Sequence, residues 1–221
     1  MSPMTDTMRP SFGSSPPPVV YVVDDDLSVR ESLEMLITAA GWRPAIFDTA
    51  DSFLKAPPAP TPSCLLLDVN MPDLNGLDLQ RMVTTSGNRM PIIFISGYRD
   101  VPATVRALKA GAMDFLTKPI NSAGLLAAIR SALARSDELR QEDDAQARLQ
   151  RLYDALTPRE REIMVRMTKG LLNKQIAYEL GISEITVKAH RGRLMKKTGA
   201  RSLPELMTMA ARFRIDGDPD T

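Results

Sequence analysis

Between residues 19 and 117, short apolar runs alternate with stretches whose apolar positions recur at helical spacing. The runs 19–23, 64–67, 92–95 and 113–117 read as buried strands, and 43–47 as a short second strand. After the first run, Val29, Leu33, Leu36, Ile37 and Ala40 form one helical stripe, stopped by Gly41. Residues 49–55 predict a short helix before the proline-rich loop 56–62, and a longer helix follows from about Gly76 to Ser86. Another is expected to start near Pro102, a residue favoured in the first turn, and a last one near Asn121. Five strand–helix units predict an α/β fold: a five-stranded, doubly wound parallel sheet covered by helices on both faces.

After residue 120 the strand signals stop. Leu125, Leu126, Ile129 and Leu133 can pack on the sheet, whereas residues 136–144 are too polar for a core. Ala145, Leu149, Leu152 and Leu156 then resume a helical stripe, so 134–155 reads as a helical linker between a domain at 19–133 and an all-α domain at 156–215. The second domain opens on Thr157-Pro158-Arg159-Glu160, a capping box with proline at the first helical position. Ser202-Leu203-Pro204-Glu205 offers another. Residues 1–18, rich in Pro, Ser, Thr and Met, read as a disordered extension, and 216–221 as an acidic tail.

Composition adds limits. The single cysteine, Cys64, excludes an internal disulfide and a cysteine-rich zinc site. No apolar run reaches the roughly 18 residues of a membrane span, and the N-terminus lacks a basic-then-apolar leader; the expectation is a cytoplasmic protein. Net charge is +1, but residues 1–150 hold 14 Lys/Arg against 18 Asp/Glu, while 151–215 hold 14 against 6. A basic module behind an acidic one suggests a polyanion as partner of the second, although a solvated basic face has the same composition.

Four of the five strand signals end on these polar groups: Asp24, Asp25 and Asp26 after the first, Asp68 after the third, Ser96 after the fourth, Lys118-Pro119 after the fifth. In an open α/β sheet those ends meet at one edge, where ligands bind. Taken singly they are helix caps, a turn serine and a surface lysine. Together they suggest a divalent metal and a phosphoryl group on Asp68. A carboxylate can carry a phosphoryl group once its charge is neutralised; oxygen ligands suit Mg²⁺, Lys118 can pair with a phosphoryl oxygen and Ser96 can donate to another.

Val-Val-Asp-Asp-Asp, Leu-Leu-Leu-Asp-Val-Asn-Met-Pro, Ile-Ser-Gly and Phe-Leu-Thr-Lys-Pro make residues 19–135 resemble the receiver domain of two-component response regulators. The resemblance implies Asp68 as phosphoacceptor, with Asp24, Asp25, Asp68 and the Asn70 backbone carbonyl holding Mg²⁺. It gives Ser96 the switch-hydroxyl position and Phe115 the switch-aromatic position, and makes the Lys118–Pro119 bond cis. Phosphorylation would draw Ser96 inward and turn Phe115, changing a surface near Val101, Val105, Ala110 and Asp114 that often dimerises.

Further along, Ala177, Gly181 and Val187 have helix-turn-helix spacing: a small residue where two helices meet, a glycine for the turn and an apolar lock. Ile176, Leu180, Ile182 and Leu194 are candidate core residues, Ser183 is the N-cap, and Lys188, Arg191, Arg193, Lys196 and Lys197 make a cationic face suited to the DNA major groove. Leu-Thr-Pro-Arg-Glu-Arg-Glu, Asn-Lys-Gln-Ile-Ala and Ile-Ser-Glu-Ile-Thr-Val-Lys-Ala-His resemble the output domain of LuxR/NarL/FixJ-type regulators, most of all the FixJ type. The resemblance implies that Lys188, Ala189 and Gly192 face base edges, with His190, Arg191 and Arg193 near the groove or backbone. Gly192 departs from the basic residue often found there. Lys174, Thr186 and Lys197 are candidate phosphate contacts, which position without specifying. The stripe Leu203, Leu206, Met207 and Ala210 suggests either a dimer contact or internal packing.

The expected function is a phosphorylation-dependent DNA-binding transcription regulator of a two-component system, not an enzyme. A sensor histidine kinase would modify Asp68, a homodimer would form and bind double-stranded DNA, and RNA polymerase would be a further partner. Two other readings remain: an aspartate-nucleophile phosphohydrolase, disfavoured because Asn70 stands where a second acid is usual, and a phosphate-independent DNA-binding protein with a relic receiver.

Overall fold

The structure is a computed structural model, and it describes residues 16–72, 74–97 and 107–213. Five parallel strands, β1 (Val19–Val23), β2 (Arg43–Phe47), β3 (Ser63–Asp68), β4 (Ile92–Ser96) and β5 (Asp114–Thr117), form one sheet in the order β2-β1-β3-β4-β5. Side chains alternate across it. Val19, Tyr21 and Val23 join Leu65, Leu67 and Phe94 on one face, under α2 (Ala50–Leu54) and α3 (Gly76–Thr85). Val20 and Val22 join Leu66, Ile93 and Ile95 on the other, under α1 (Leu27–Ala39) and the first part of α4 (Ser122–Asp154). Burying whole strands in this way accounts for runs that are apolar at every position.

Caps fix where the helices begin. The Asp26 carboxylate accepts from the Ser28 and Val29 amides, the Thr49 hydroxyl from Ser52, and the Asn75 side chain from Leu77. Gly76 opens α3 hard against β3: a Cβ there would stand 2.3 Å from the Asp68 carbonyl oxygen. Residues 98–106, with Val101, Val105 and the helix start expected near Pro102, lie outside the described residues, as do the extension up to residue 15 and the acidic tail. The segment Ala107–Ala110 is tied to α3 by Gln80, whose buried carboxamide donates to the carbonyls of Ala107 (3.3 Å) and Ala110 (3.1 Å).

The chain divides into two compact units between Arg140 and Gln141. The polar stretch after Leu133 does not leave the first unit at once. Ser136 and Leu139 are buried; the Ser136 hydroxyl accepts from the Ser63 amide at 3.0 Å. Arg140 donates to the Pro60 carbonyl at 2.6 Å. The start of β3 and the proline-rich loop thus hold Ser136 and Arg140, residues whose composition alone predicted exposure.

The second unit is all-helical: the end of α4, then α5 (Pro158–Thr168), α6 (Asn173–Leu180), α7 (Glu184–Thr198) and α8 (Leu203–Ala210). Its core gathers Ile163, Met164, Ile176, Val187, Leu194, Leu206 and Phe213. The Tyr153 and Phe213 rings lie 5.2 Å apart and tilted by 43°, and the Arg161 guanidinium lies 4.5 Å above the Tyr153 ring, a cation–π contact. The Thr157 capping box forms in full. The Ser202 box forms by half: Ser202 accepts from the Glu205 amide, but the Glu205 carboxylate takes the Arg201 amide instead. In the α8 stripe Leu206 is fully buried, Leu203 and Ala210 pack against the core, and Met207 is exposed. Among the described residues no helix is long and apolar enough to cross a membrane.

Candidate functional site

Three strand ends build the first site. Asp24 follows β1, Asp68 closes β3 and Lys118 follows β5, and the Lys118 ammonium bridges the two carboxylates, 2.9 Å from Asp24 Oδ2 and 2.7 Å from Asp68 Oδ1. The second oxygens are held by backbone amides, Asp24 Oδ1 by Asp26 (2.9 Å) and Asp68 Oδ2 by Asn70 (2.7 Å). Both carboxylates are buried. Burial pushes the Asp24 carboxyl above its usual range, and the Lys118 hydrogen bond only partly offsets this. Burial alone would weaken the Lys118 ammonium, but its bonds to Asp68 and Asp24 outweigh that and raise its pKa. Two acids against one ammonium leave a local excess of negative charge facing a partly open edge. Asp25 and Asn70 are exposed beside it.

Ser96 is fully buried at the end of β4, and its hydroxyl has no hydrogen-bond partner among the described residues. Such a group is rare in a folded core and carries a cost. The Ser96 carbonyl accepts from the Lys118 amide at 2.7 Å, which ties the two strand ends together, and the Lys118–Pro119 bond is cis. Phe115 is half-buried, 6.4 Å from the Phe94 ring.

The second site is α7 and its approach. Gly181 ends α6 with φ of 62°, a left-handed conformation that suits glycine. Val187 locks α7 inward, and Ser183 caps it by accepting from the Thr186 amide. Lys174, Lys188, Ala189, Gly192 and Arg193 are exposed. Of the other sequence candidates, Thr186, Arg191 and Lys197 are hydrogen-bonded within the unit. Thr186 shares a hydrogen bond with the Ser183 hydroxyl (2.9 Å), and Arg191 donates to the Asn173 side chain. His190 is half-buried, its Nδ1 enclosed without a partner among the described residues. Lys197 donates to the buried Glu160 carboxylate at 2.7 Å and to the Ala155 carbonyl at 3.0 Å. Burial opposes the charge on Glu160, but Lys197 and Thr157 outweigh it and hold its carboxyl below the usual range. Sequence reading passed over Ile185, which the structure leaves 80% exposed on α7; the signal available was an isoleucine outside the core period of that helix.

Comparison with known proteins agrees with this geometry. Residues 20–130 match the response regulator receiver domain, and residues 154–210 match the luxR family of bacterial regulatory proteins. The chain is 43% identical over 200 residues to nodulation protein W of Bradyrhizobium diazoefficiens, covering 90% of this chain and 88% of that one. It is 41% identical to the transcriptional regulatory protein FixJ of Azorhizobium caulinodans, over 86% of this chain and 90% of that one. Among solved structures it resembles the response regulator StyR, with a TM-score of 0.82 and 43% identity over 90% of this chain and all of that one. Regulators of this kind are not enzymes, which removes the phosphohydrolase reading, and their two modules imply DNA and a cognate kinase as partners. The chain belongs to the two-component response regulators, transcription regulators that join a receiver domain to a LuxR-type DNA-binding domain.

Proposed function

We propose that Asp68 is the phosphoacceptor and that its modification controls DNA binding by the second unit. The observation that carries this reading is the Lys118 ammonium shared between Asp68 and Asp24, beside the buried, unpartnered hydroxyl of Ser96. In the transfer, an Asp68 carboxylate oxygen forms the new O–P bond as the N–P bond to the kinase histidine breaks. Lys118 neutralises one phosphoryl oxygen. Ser96 donates to another and satisfies its own hydroxyl, and Phe115 moves with it. Little further side-chain chemistry is needed, because positioning and charge stabilisation dominate such transfers.

Receiver domains typically bind Mg²⁺ at the phosphorylation site. Among the described residues no three acidic, histidine or cysteine side chains are gathered closely enough to hold an ion, but Mg²⁺ commonly takes one or two carboxylates and fills the rest with water. The negative excess at Asp24 and Asp68 fits that demand. Asp24, Asp25 and Asp68, with the Asn70 carbonyl, would hold the ion, one or two of the carboxylates directly and the rest through water, and the ion would supply positive charge to the transferring group.

For output, Lys188, Ala189 and Gly192 face base edges, and His190, Arg191 and Arg193 line the groove or backbone. Lys174, Thr186 and Lys197 contact phosphates, Lys197 by exchanging its bond to Glu160. Phosphorylation favours a homodimer whose two helix-turn-helix units read two half-sites, with RNA polymerase as a further partner in the cytoplasm. Labelling with acetyl phosphate tests the core of this. Uptake that needs Mg²⁺ and vanishes in a folded Asp68→Ala variant supports the assignment; equal uptake by that variant overturns it.

A further inference from the structure

On α7 the buried side is marked by Val187, Leu194 and Thr198. At 3.6 residues per turn, Ile185, Ala189, Gly192 and Lys196 stack on the opposite side, directed straight away from the core. Ile185 is the one bulky apolar side chain of that outward face, and it is 80% exposed in the first turn of the helix. Among the described residues of the second unit, it is not part of the apolar core. Gly192, two turns further on, has no heavy atom within 4 Å of the place a Cβ would take. No packing among the described residues therefore asks for a glycine there, although glycine is a poor residue in a helix interior.

The surroundings name the occupant. Lys188, Arg193 and Lys196 flank Ile185 and Gly192 on an exposed helix face, and residues 151–215 carry 14 Lys/Arg against 6 Asp/Glu. A polyanion with an apolar feature at its recognition surface fits both halves of this face. In the major groove of duplex DNA that feature is the 5-methyl group of thymine.

We infer that Ile185 is a specificity-determining residue, packing on a thymine methyl in each half-site, while the absent side chain at Gly192 lets α7 sit close to the base edges. This rests on the DNA-binding reading above and adds a base preference to it. Lys188, one turn along from Ile185, takes the neighbouring polar edge, a guanine where one is present.

The experiment uses the full chain, treated with acetyl phosphate and Mg²⁺, to select duplexes from a random pool. In the recovered duplex each thymine is replaced in turn by deoxyuridine, which removes only the methyl group. The expected result is one thymine per half-site whose methyl is worth about tenfold in Kd to the native protein and nothing to Ile185→Ala, the two proteins binding the deoxyuridine duplex alike. The inference is overturned if every thymine replacement affects both proteins equally, or if the selected half-sites hold no fixed thymine. Enrichment of a sequence without a methyl effect removes this inference alone. Failure to enrich any duplex removes the DNA-binding reading and the inference with it. At its exposed position Ile185→Ala leaves the thermal midpoint of the protein unchanged, which separates a lost contact from a lost fold.

Discussion

Asp24 shows how one residue serves the site at a cost to the fold. Its carboxyl is raised by burial more than Lys118 lowers it. An acid whose pKa rises on folding favours the native state while protonated, and that contribution is lost as pH rises through the folded value. Asp24→Asn removes the buried charge and should therefore raise the urea midpoint at neutral pH while weakening Mg²⁺ binding, two measurements with opposite signs. Glu160 has the reverse sign. Its carboxyl is held below the usual carboxylate range, so its stabilisation is present above that range and is lost as pH falls through the folded value. Denaturant titrations of the native protein should lose stability in that acid window, and Glu160→Gln should flatten the loss. Gly192→Ala should stabilise α7 by about 1 kcal/mol yet weaken specific DNA binding, as thermal melting and titration with duplex would show.

At the level of elements, most of the architecture could be read from the chain. The runs at 19–23 and 43–47 are β1 and β2 to the residue, because β-branched and apolar residues there meet turn residues at both ends. Ala177, Gly181 and Val187 likewise located the turn between α6 and α7, since each position has a steric requirement. What escaped depends on partners distant in sequence. Ser136 read as solvent-facing because its partner, the Ser63 amide at the start of β3, lies 73 residues earlier. Lys197 read as a free cation because Glu160 is 37 residues away. Leu139→Ala tests the extended packing of α4. If buried Leu139 belongs to the first unit's core, chemical denaturation should record a loss of about 2–5 kcal/mol; a surface helix would lose almost nothing.

For the molecule as a whole, phosphoryl uptake and DNA binding are two equilibria on one chain, and Asp68→Ala should uncouple them. That variant should keep the basal affinity for duplex and the steep salt dependence of a basic reader, but gain nothing from a phosphodonor in a binding titration. The size of the coupling can be bounded from a single atom. In the resting receiver the Ser96 hydroxyl is enclosed with no partner among the described residues, and an unmet buried donor typically costs about 1–3 kcal/mol. A newly arrived acceptor oxygen relieves that debt only in the rearranged conformer. The ratio of rearranged to resting molecules can then shift by roughly 5- to 150-fold from this one bond, enough to turn a minor population into the prevailing one without any new contact elsewhere.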